Sequence, residues 1–196
     1  MTEAEASKWN ERYASGDYRP RSEPSESLER ALRYVAPGRA LVLACGAGRN
    51  ALRLAEAGFD VEGVDVSAVA IDMARQEAVA RGLGAKWVVA GMEEMDLPEG
   101  AYDLITMIRY TNREIWPHLV TALAPDGWLL LEQHLETERD VIGPGSDFRL
   151  APGELLDAFS GLRVIEYFEA FQPSERSDGE MTATTGLLAC KGDPGW

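Results

Sequence analysis

Cysteines and basic residues are scarce in this 196-residue sequence. Its two cysteines, Cys45 and Cys190, give neither a disulfide framework nor a metal-binding spacing, so we expect no metal and a reducing compartment. Lysine and arginine together number 19 against 33 aspartates and glutamates, for a formal charge of −14. Because polyanion binding draws on clusters of basic side chains, nucleic acid is not the expected partner.

Long apolar runs are also lacking. No run approaches the roughly 20 residues of a membrane span, and the first residues are acidic where a signal peptide would be basic. We therefore expect a cytoplasmic protein with no membrane partner.

Short apolar runs alternate with helical patterns along most of the chain. This alternation predicts an α/β fold with a doubly wound, mostly parallel, Rossmann-like sheet. The last two runs, residues 162–171 and 180–190, are too close in sequence for a helical crossover, so we expect an antiparallel hairpin and seven strands in all. Residues 134–150 are polar and rich in glycine and proline, which predicts a long loop.

A glycine turn stands at the centre of the chain. The apolar run from Ala40 ends at Gly46-Ala47-Gly48, and a helical pattern follows, so backbone N–H groups should face a ligand at the positive end of a helix. Asp65 closes the next apolar run, where a carboxylate suits a ribose hydroxyl pair. The pattern predicts a nucleoside-bearing ligand, but taken alone it fits a nicotinamide cofactor as well as S-adenosylmethionine.

Several motifs resemble those of class I S-adenosylmethionine-dependent methyltransferases. They are the glycine motif at 41–50, the ribose motif at 63–67 and later landmarks at 102–105 and 123–129. Within that superfamily, segments 9–13, 45–50 and 108–114 resemble the tellurite-resistance-type, small-molecule branch. The resemblance implies the strand order 3-2-1-4-5-7-6, an N-terminal helical lid or appendage over residues 1–36, and a methyltransferase domain over residues 37–196.

The resemblance also implies S-adenosylmethionine as cofactor, with S-adenosylhomocysteine as product. Asp65 would hold the ribose, Val66 and Met92 would lie on the two faces of the adenine, and Arg109 would stand near the sulfonium. The full set of expected cofactor-binding residues is Ala44, Cys45, Gly46, Ala47, Gly48, Asn50, Asp65, Val66, Ser67, Gly91, Met92, Glu93 and Arg109.

Two positions depart from the family pattern. The family usually has an acidic residue where this chain has Val42, for the cofactor's ammonium group, and another where it has Gly91, for the adenine amino group. Each missing charge-assisted contact weakens binding by about 1–3 kcal/mol. Glu93 is the expected substitute for the second.

Methyl transfer is an in-line displacement, so the protein mainly has to align donor and acceptor and exclude water. No nucleophilic residue is required. His134 is the candidate general base because imidazole titrates near neutrality; its alternative is a local hydrogen bond. Arg109 is a second candidate at the reacting atoms, with a salt bridge to Glu132 as its alternative. The expected substrate or lid residues are Trp9, Tyr13, Arg21 and Tyr110.

The sequence thus predicts a methyltransferase that acts on a small-molecule acceptor. Two alternatives remain open. One is a non-catalytic nucleoside-binding or interaction protein on the same scaffold. The other is a nicotinamide-dependent oxidoreductase, for which the chain has little room for a separate substrate region.

Overall fold

The computed structural model describes residues 3–16, 18–174 and 179–195. Its strands are β1 (Arg39–Leu43), β2 (Asp60–Asp65), β3 (Lys86–Val89), β4 (Tyr102–Ile108), β5 (Leu123–Leu135), β6 (Arg149–Leu150), β7 (Arg163–Pro173) and β8 (Met181–Cys190). Its helices are α1 (Glu3–Ala14), α2 (Glu26–Ala31), α3 (Arg49–Glu56), α4 (Ala68–Arg81), α5 (Trp116–Ala122) and α6 (Glu154–Ala158). Short 3-10 turns span Met92–Glu94 and Ser146–Phe148.

The sheet has the predicted topology. Its order is β3-β2-β1-β4-β5-β8-β7, and β8 pairs antiparallel with both of its neighbours whereas the other pairs are parallel. The predicted α/β class, the order and the reversed last strand are therefore confirmed. Of the segment predicted to connect the last two strands, residues 175–178 lie outside the described residues. The same holds for residues 1, 2 and 17 of the predicted lid and for residue 196.

The seven predicted strands make up the main order of the sheet, and within the described residues a short eighth strand, β6, lies beside that order. It pairs with the end of β5 through His134 opposite Arg149 and Leu135 opposite Leu150, so the loop predicted over residues 134–150 is shorter than expected. The β5 strand extends past the end of β4, and Leu150, which is fully buried, covers the edge left open there. A strand of two residues is too short to show an alternating pattern in the sequence.

Apolar side chains cover both faces of the sheet. On one face Leu28 and Ala31 of α2 pack with Leu54 of α3, and on the other Leu119 of α5 packs with Leu155 of α6. Although α2 falls within the predicted N-terminal appendage, its apolar side chains are thus part of the core. Among the described residues no helix is long and apolar enough to cross a bilayer.

Candidate functional site

A cavity of about 120 Å³ lies at the carboxyl ends of β1, β2 and β4. Two parts of the chain enclose it, the strand ends from below and the N-terminal segment from above. Its lining residues are Trp9, Tyr13, Tyr18, Pro20, Arg21, Ala44, Cys45, Gly46, Ala47, Arg49, Asn50, Asp65, Val66, Ile108, Arg109 and Tyr110. This is the edge of a parallel sheet at which ligands are expected to bind.

The glycine turn has the backbone that its sequence predicts. Gly48 precedes α3 at φ +88°, and a Cβ there would lie 2.9 Å from both the Ala74 Cβ and the Trp87 ring. Gly46 has φ +54°, and a Cβ there would lie 2.6 Å from the Tyr13 hydroxyl. The two glycines therefore serve different contacts, Gly48 with the packed interior and Gly46 with the N-terminal segment.

The Asp65 carboxylate closes the turn from β2. One oxygen accepts a hydrogen bond from the Gly46 N–H (2.8 Å) and the other from the Ser67 N–H (2.9 Å). Burial raises the pKa of Asp65, although the backbone N–H groups of Ser67 and Gly46 partly oppose that effect. Each oxygen keeps a further lone pair for a ligand hydroxyl, because a carboxylate oxygen can accept two hydrogen bonds.

Arg109 follows β4 in a left-handed backbone conformation, at φ +64°. Its Nη2 lies 2.8 Å from Glu132 Oε1, and Ser27 Oγ donates to Glu132 Oε2 at 2.6 Å. The expected salt bridge of Arg109 to Glu132 is therefore present, and Arg109 also lines the cavity. Its buried Nε has no hydrogen-bond partner within residues 3–16, 18–174 and 179–195. A guanidinium side chain in the lining of the cavity suits an anionic group of a ligand.

An aromatic cluster forms the upper side of the cavity. The ring centroids of Tyr13 and Tyr18 are 4.9 Å apart, those of Trp9 and Tyr18 are 5.6 Å apart, and the Arg12 guanidinium lies 4.8 Å from the Trp9 ring. Burial raises the pKa of Tyr13, and the nearby Tyr18 and Asp65 raise it further. Tyr13 is therefore a neutral, desolvated hydroxyl that rests on the glycine turn.

Asn10 joins this cluster to the start of α4, a contact that was not predicted from the sequence. Its Oδ1 accepts hydrogen bonds from Ser67 Oγ (2.8 Å) and from the Val69 N–H (3.2 Å), at the start of α4. Ser67 in turn accepts from the Ala70 N–H as the N-terminal cap of α4. An asparagine within a helix was the available signal, since its side chain is favoured at helix starts and turns and not in helix interiors.

The structure brings most of the predicted site residues together. Those that line the cavity are Trp9, Tyr13, Arg21, Ala44, Cys45, Gly46, Ala47, Asn50, Asp65, Val66, Arg109 and Tyr110. Gly48 and Ser67 lie behind them and support the turn and α4. Their roles in binding a ligand stay predictions.

Besides Gly48 and Ser67, four predicted residues do not line the cavity. Met92 is 4% exposed and packs in the apolar core, because the 3-10 turn after β3 directs it beneath the sheet edge. Gly91 precedes that turn, and Glu93 accepts a hydrogen bond from Asn112 Nδ2 at 2.9 Å. His134 lies within β5 between β6 and β8. Met92 and His134 thus lie outside the lining of this cavity, and their roles toward a ligand stay predictions.

Val42, one of the two departures from the family pattern, lies in the middle of the sheet. It is 2% exposed, stands opposite Gly63 and Thr106 on the neighbouring strands, and packs in the apolar core. The position thus holds a buried apolar contact. Among the described residues no three histidine, cysteine or acidic side chains are grouped as a metal site.

Comparisons with known proteins agree with the predicted family. The family model described as "Methyltransferase domain" matches residues 40–127. The putative methyltransferase YqeM of Bacillus subtilis is 30% identical over 120 residues, which are 57% of this chain and 48% of that protein. The demethylmenaquinone methyltransferase of Thermus thermophilus is 39% identical over 103 residues, which are 49% of this chain and 47% of that protein.

A solved structure supports the fold. The crystal structure of TehB from Haemophilus influenzae superposes with a TM-score of 0.77 at 23% identity, over 93% of this chain and 67% of that chain. The chain spans about half the length of the two curated relatives. Family and fold together imply S-adenosylmethionine as the cofactor.

Proposed function

We propose that this chain, a class I methyltransferase by its fold and its match to the methyltransferase domain family over residues 40–127, transfers a methyl group from S-adenosylmethionine to a small molecule. The observation that carries the proposal is the cavity at the ends of β1, β2 and β4, with a glycine turn, a buried carboxylate and the Arg109 side chain in its lining. The curated relative from Thermus thermophilus is by name a demethylmenaquinone methyltransferase, which favours a small acceptor.

The lining residues suit the parts of this cofactor. The turn from Ala44 to Gly48 would enclose the methionine part, and Asp65 would accept hydrogen bonds from the ribose hydroxyls. The Arg109 side chain fits the cofactor's carboxylate, since a guanidinium is a strong donor to anions. Val66 would lie against the adenine. With Val42 buried in the core, the cofactor's ammonium group would lack the acidic side chain that the family usually supplies.

The N-terminal segment acts as a lid in this proposal. The cavity, at about 120 Å³, is smaller than the ~300–1,000 Å³ of typical small-molecule sites. Tyr13 occupies part of the space above Gly46, because its hydroxyl would lie 2.6 Å from a Cβ at that glycine. Cofactor entry would therefore require Tyr13, with Trp9 and Tyr18, to move away from the glycine turn. Lids of this kind exclude water once they close over the reactants.

Methyl transfer needs the chain to orient two reactants and to keep the site dry. The acceptor atom would form a bond to the methyl carbon while the carbon–sulfur bond breaks, with its electron pair left on sulfur in S-adenosylhomocysteine. The ion pair between Arg109 and Glu132 would position the acceptor against the cofactor cavity. The role of His134 as general base stays a prediction, and its position in β5 would require a water or a loop shift to connect it to that cavity.

A non-catalytic nucleoside-binding protein is the second candidate. The observation in its favour is Val42, whose apolar burial removes one expected contact to the cofactor. Titration calorimetry with S-adenosylmethionine, S-adenosylhomocysteine and NAD separates the candidates. We expect heat with both sulfur nucleosides and none with NAD. Folded protein that gives no heat with either sulfur nucleoside would refute the proposal, and binding without any methylated product across a panel of small acceptors would favour the second candidate.

A further inference from the structure

A second cavity lies between α2, β5 and β7, next to the first. Its volume is about 480 Å³, within the ~300–1,000 Å³ range of small-molecule sites. Glu132 lines this second cavity, whereas its partner Arg109 lines the first. The ion pair between them therefore stands where the two cavities adjoin.

A row of hydrogen-bonded side chains separates the two cavities, and we call this row the partition. Arg109 pairs with Glu132, and Ser27 donates to the same carboxylate at 2.6 Å. Ser27 Oγ lies 3.3 Å from Ser25 Oγ, and the Ser25 N–H donates to Asn50 Oδ1 at 2.9 Å. The ends of this chain, Arg109 and Asn50, line the first cavity, while Glu132 and Ser27 line the second. A ligand in the second cavity would thus contact Glu132 and Ser27, which are joined by hydrogen bonds to side chains that line the first.

The floor of the second cavity combines a carboxylate with an aromatic face. Gly186 of β8 stands opposite both Glu132 and Phe168. A Cβ at Gly186 would lie 2.4 Å from the Phe168 ring, so the glycine leaves room for the ring to lie across the sheet. The Arg30 guanidinium lies 5.3 Å from the centre of that ring and its Nε is 3.1 Å from Glu166. The Arg30 side chain therefore already contacts both an aromatic ring and a carboxylate at this cavity.

The charge on the cavity wall selects the class of ligand. The lining residues carry three carboxylates, on Glu26, Glu132 and Glu166, against the guanidinium of Arg30. Arg109 pairs with Glu132 from the first cavity, so one negative charge remains in excess. Glu132 is only 7% exposed, so its charge is poorly screened by water. An anionic ligand would be repelled, and a neutral hydroxyl would donate a hydrogen bond without adding a positive charge. An organic ammonium supplies donors and charge together.

We propose that the second cavity binds the methyl acceptor, and that the acceptor carries a protonated amine next to an apolar group. The ammonium would bind to Glu132 at the partition, and the apolar group would lie beside Phe168. Because the protonated nitrogen has no lone pair, a different atom of the acceptor would attack the methyl carbon, and the carbon–sulfur electron pair would stay on sulfur. That this ligand is the methyl acceptor rests on the proposed function, whereas its binding to the cavity does not.

The test is a titration of the full chain, at about pH 7, with three probes of similar size: 2-phenylethylamine, 2-phenylethanol and 3-phenylpropionate. An alkylamine is protonated at this pH, as a lysine side chain is. We expect 2-phenylethylamine to bind about tenfold more tightly than the alcohol and 3-phenylpropionate to bind least. Amide shifts should change in β7 and β8 near Phe168 and Gly186. Equal affinity for the three probes, or shifts confined to the glycine turn, would overturn the proposal.

Three variants sharpen the test. Glu132→Gln keeps the size of the side chain and should weaken amine binding about tenfold. Glu26→Lys reverses an exposed charge on the cavity wall and should weaken it about threefold to tenfold, without the risk to folding that a buried site carries. Glu99→Lys, at an exposed position outside both cavities, makes the same change in net charge and should have no effect. Equal effects of Glu26→Lys and Glu99→Lys would mean that only the overall charge attracts the amine.

These titrations need no S-adenosylmethionine, so the two proposals fail separately. Absence of cofactor binding with intact amine binding would refute the methyltransferase activity and leave the cation site. Cofactor binding without selective amine binding would overturn the acceptor class alone.

Discussion

The two walls of the first cavity are built in different ways. The sheet-edge wall, residues 44–48 with Asp65 and Arg109, is held by backbone hydrogen bonds and by packing against buried elements. The N-terminal wall, formed by Trp9, Tyr13, Tyr18 and Arg21, rests on ring contacts and on the hydrogen bonds of Asn10. None of the residues of α1 is buried.

The difference indicates which wall moves. A segment with few buried side chains opens at low free-energy cost, whereas a turn packed on the sheet opens only when the domain unfolds. We infer that the sheet-edge wall is preformed for a ligand and that the N-terminal wall moves aside and returns.

Gly48→Ala should be the most damaging change. The new Cβ would lie 2.9 Å from Ala74 and Trp87, and the alanine would have to adopt a left-handed backbone conformation. We therefore expect a loss of about 2–4 kcal/mol in the free energy of unfolding. Gly82→Ala is the matched control, because Gly82 is also left-handed but has no atom within 4 Å of the new Cβ. Its expected cost is about 1 kcal/mol. Denaturant unfolding that gives equal costs would mean that the turn is not rigidly packed.

Asp65→Ala should weaken binding of S-adenosylmethionine and S-adenosylhomocysteine by about 1–3 kcal/mol, because two hydroxyl contacts to a carboxylate are lost. Asp60→Ala, at the exposed start of the same strand, removes the same charge far from the cavity and should leave affinity unchanged. Calorimetric titration checks both variants, and circular dichroism confirms that they are folded. An unchanged affinity for Asp65→Ala would contradict the assignment of the ribose to this carboxylate.

Tyr13→Ala should raise the association rate constant for S-adenosylhomocysteine by about tenfold, because the open form of the N-terminal wall becomes the populated one. Stopped-flow fluorescence of the nearby Trp9 would follow the binding. Tyr34→Ala is the control, since Tyr34 is 39% exposed and does not line the cavity. A slower association in Tyr13→Ala would show that Tyr13 recruits the ligand and does not obstruct it.

Asn10→Ala should have the smallest effect, a local loosening of about 1 kcal/mol as two hydrogen bonds are removed. Hydrogen exchange should become faster in α1 and in the first turn of α4, with the rest of the sheet unchanged. Asn10→Asp should largely restore protection, because its carboxylate can accept the same bonds at a helix start. Uniform exchange changes across the sheet would mean that the N-terminal wall is not an independent unit.

Features that depend on neighbouring residues in the chain were predictable from the sequence. The glycine turn and Asp65 at the end of β2 follow from local spacing, and the short final connection indicated the antiparallel β8. The structure confirms these elements because strand ends of a parallel sheet meet at one edge whatever the details of the packing.

Features that depend on distant residues were not predictable. The contact of Ser27 with Glu132 joins positions that are 105 apart in sequence, and β6 forms only because β5 extends past β4. Met92 was expected at the adenine, but the 3-10 turn after β3 buries it in the core, a choice set by packing beneath the sheet. Such contacts leave no periodic signal in a single sequence.

A crystal structure of the chain with S-adenosylhomocysteine would test the central claim most directly. We predict density above Gly46 with the ribose hydroxyls on Asp65, the carboxylate near Arg109, and Tyr13 displaced from the glycine turn while residues 44–48 keep their backbone. A ligand bound elsewhere, or a sheet-edge wall that rearranges while Tyr13 stays in place, would contradict the account.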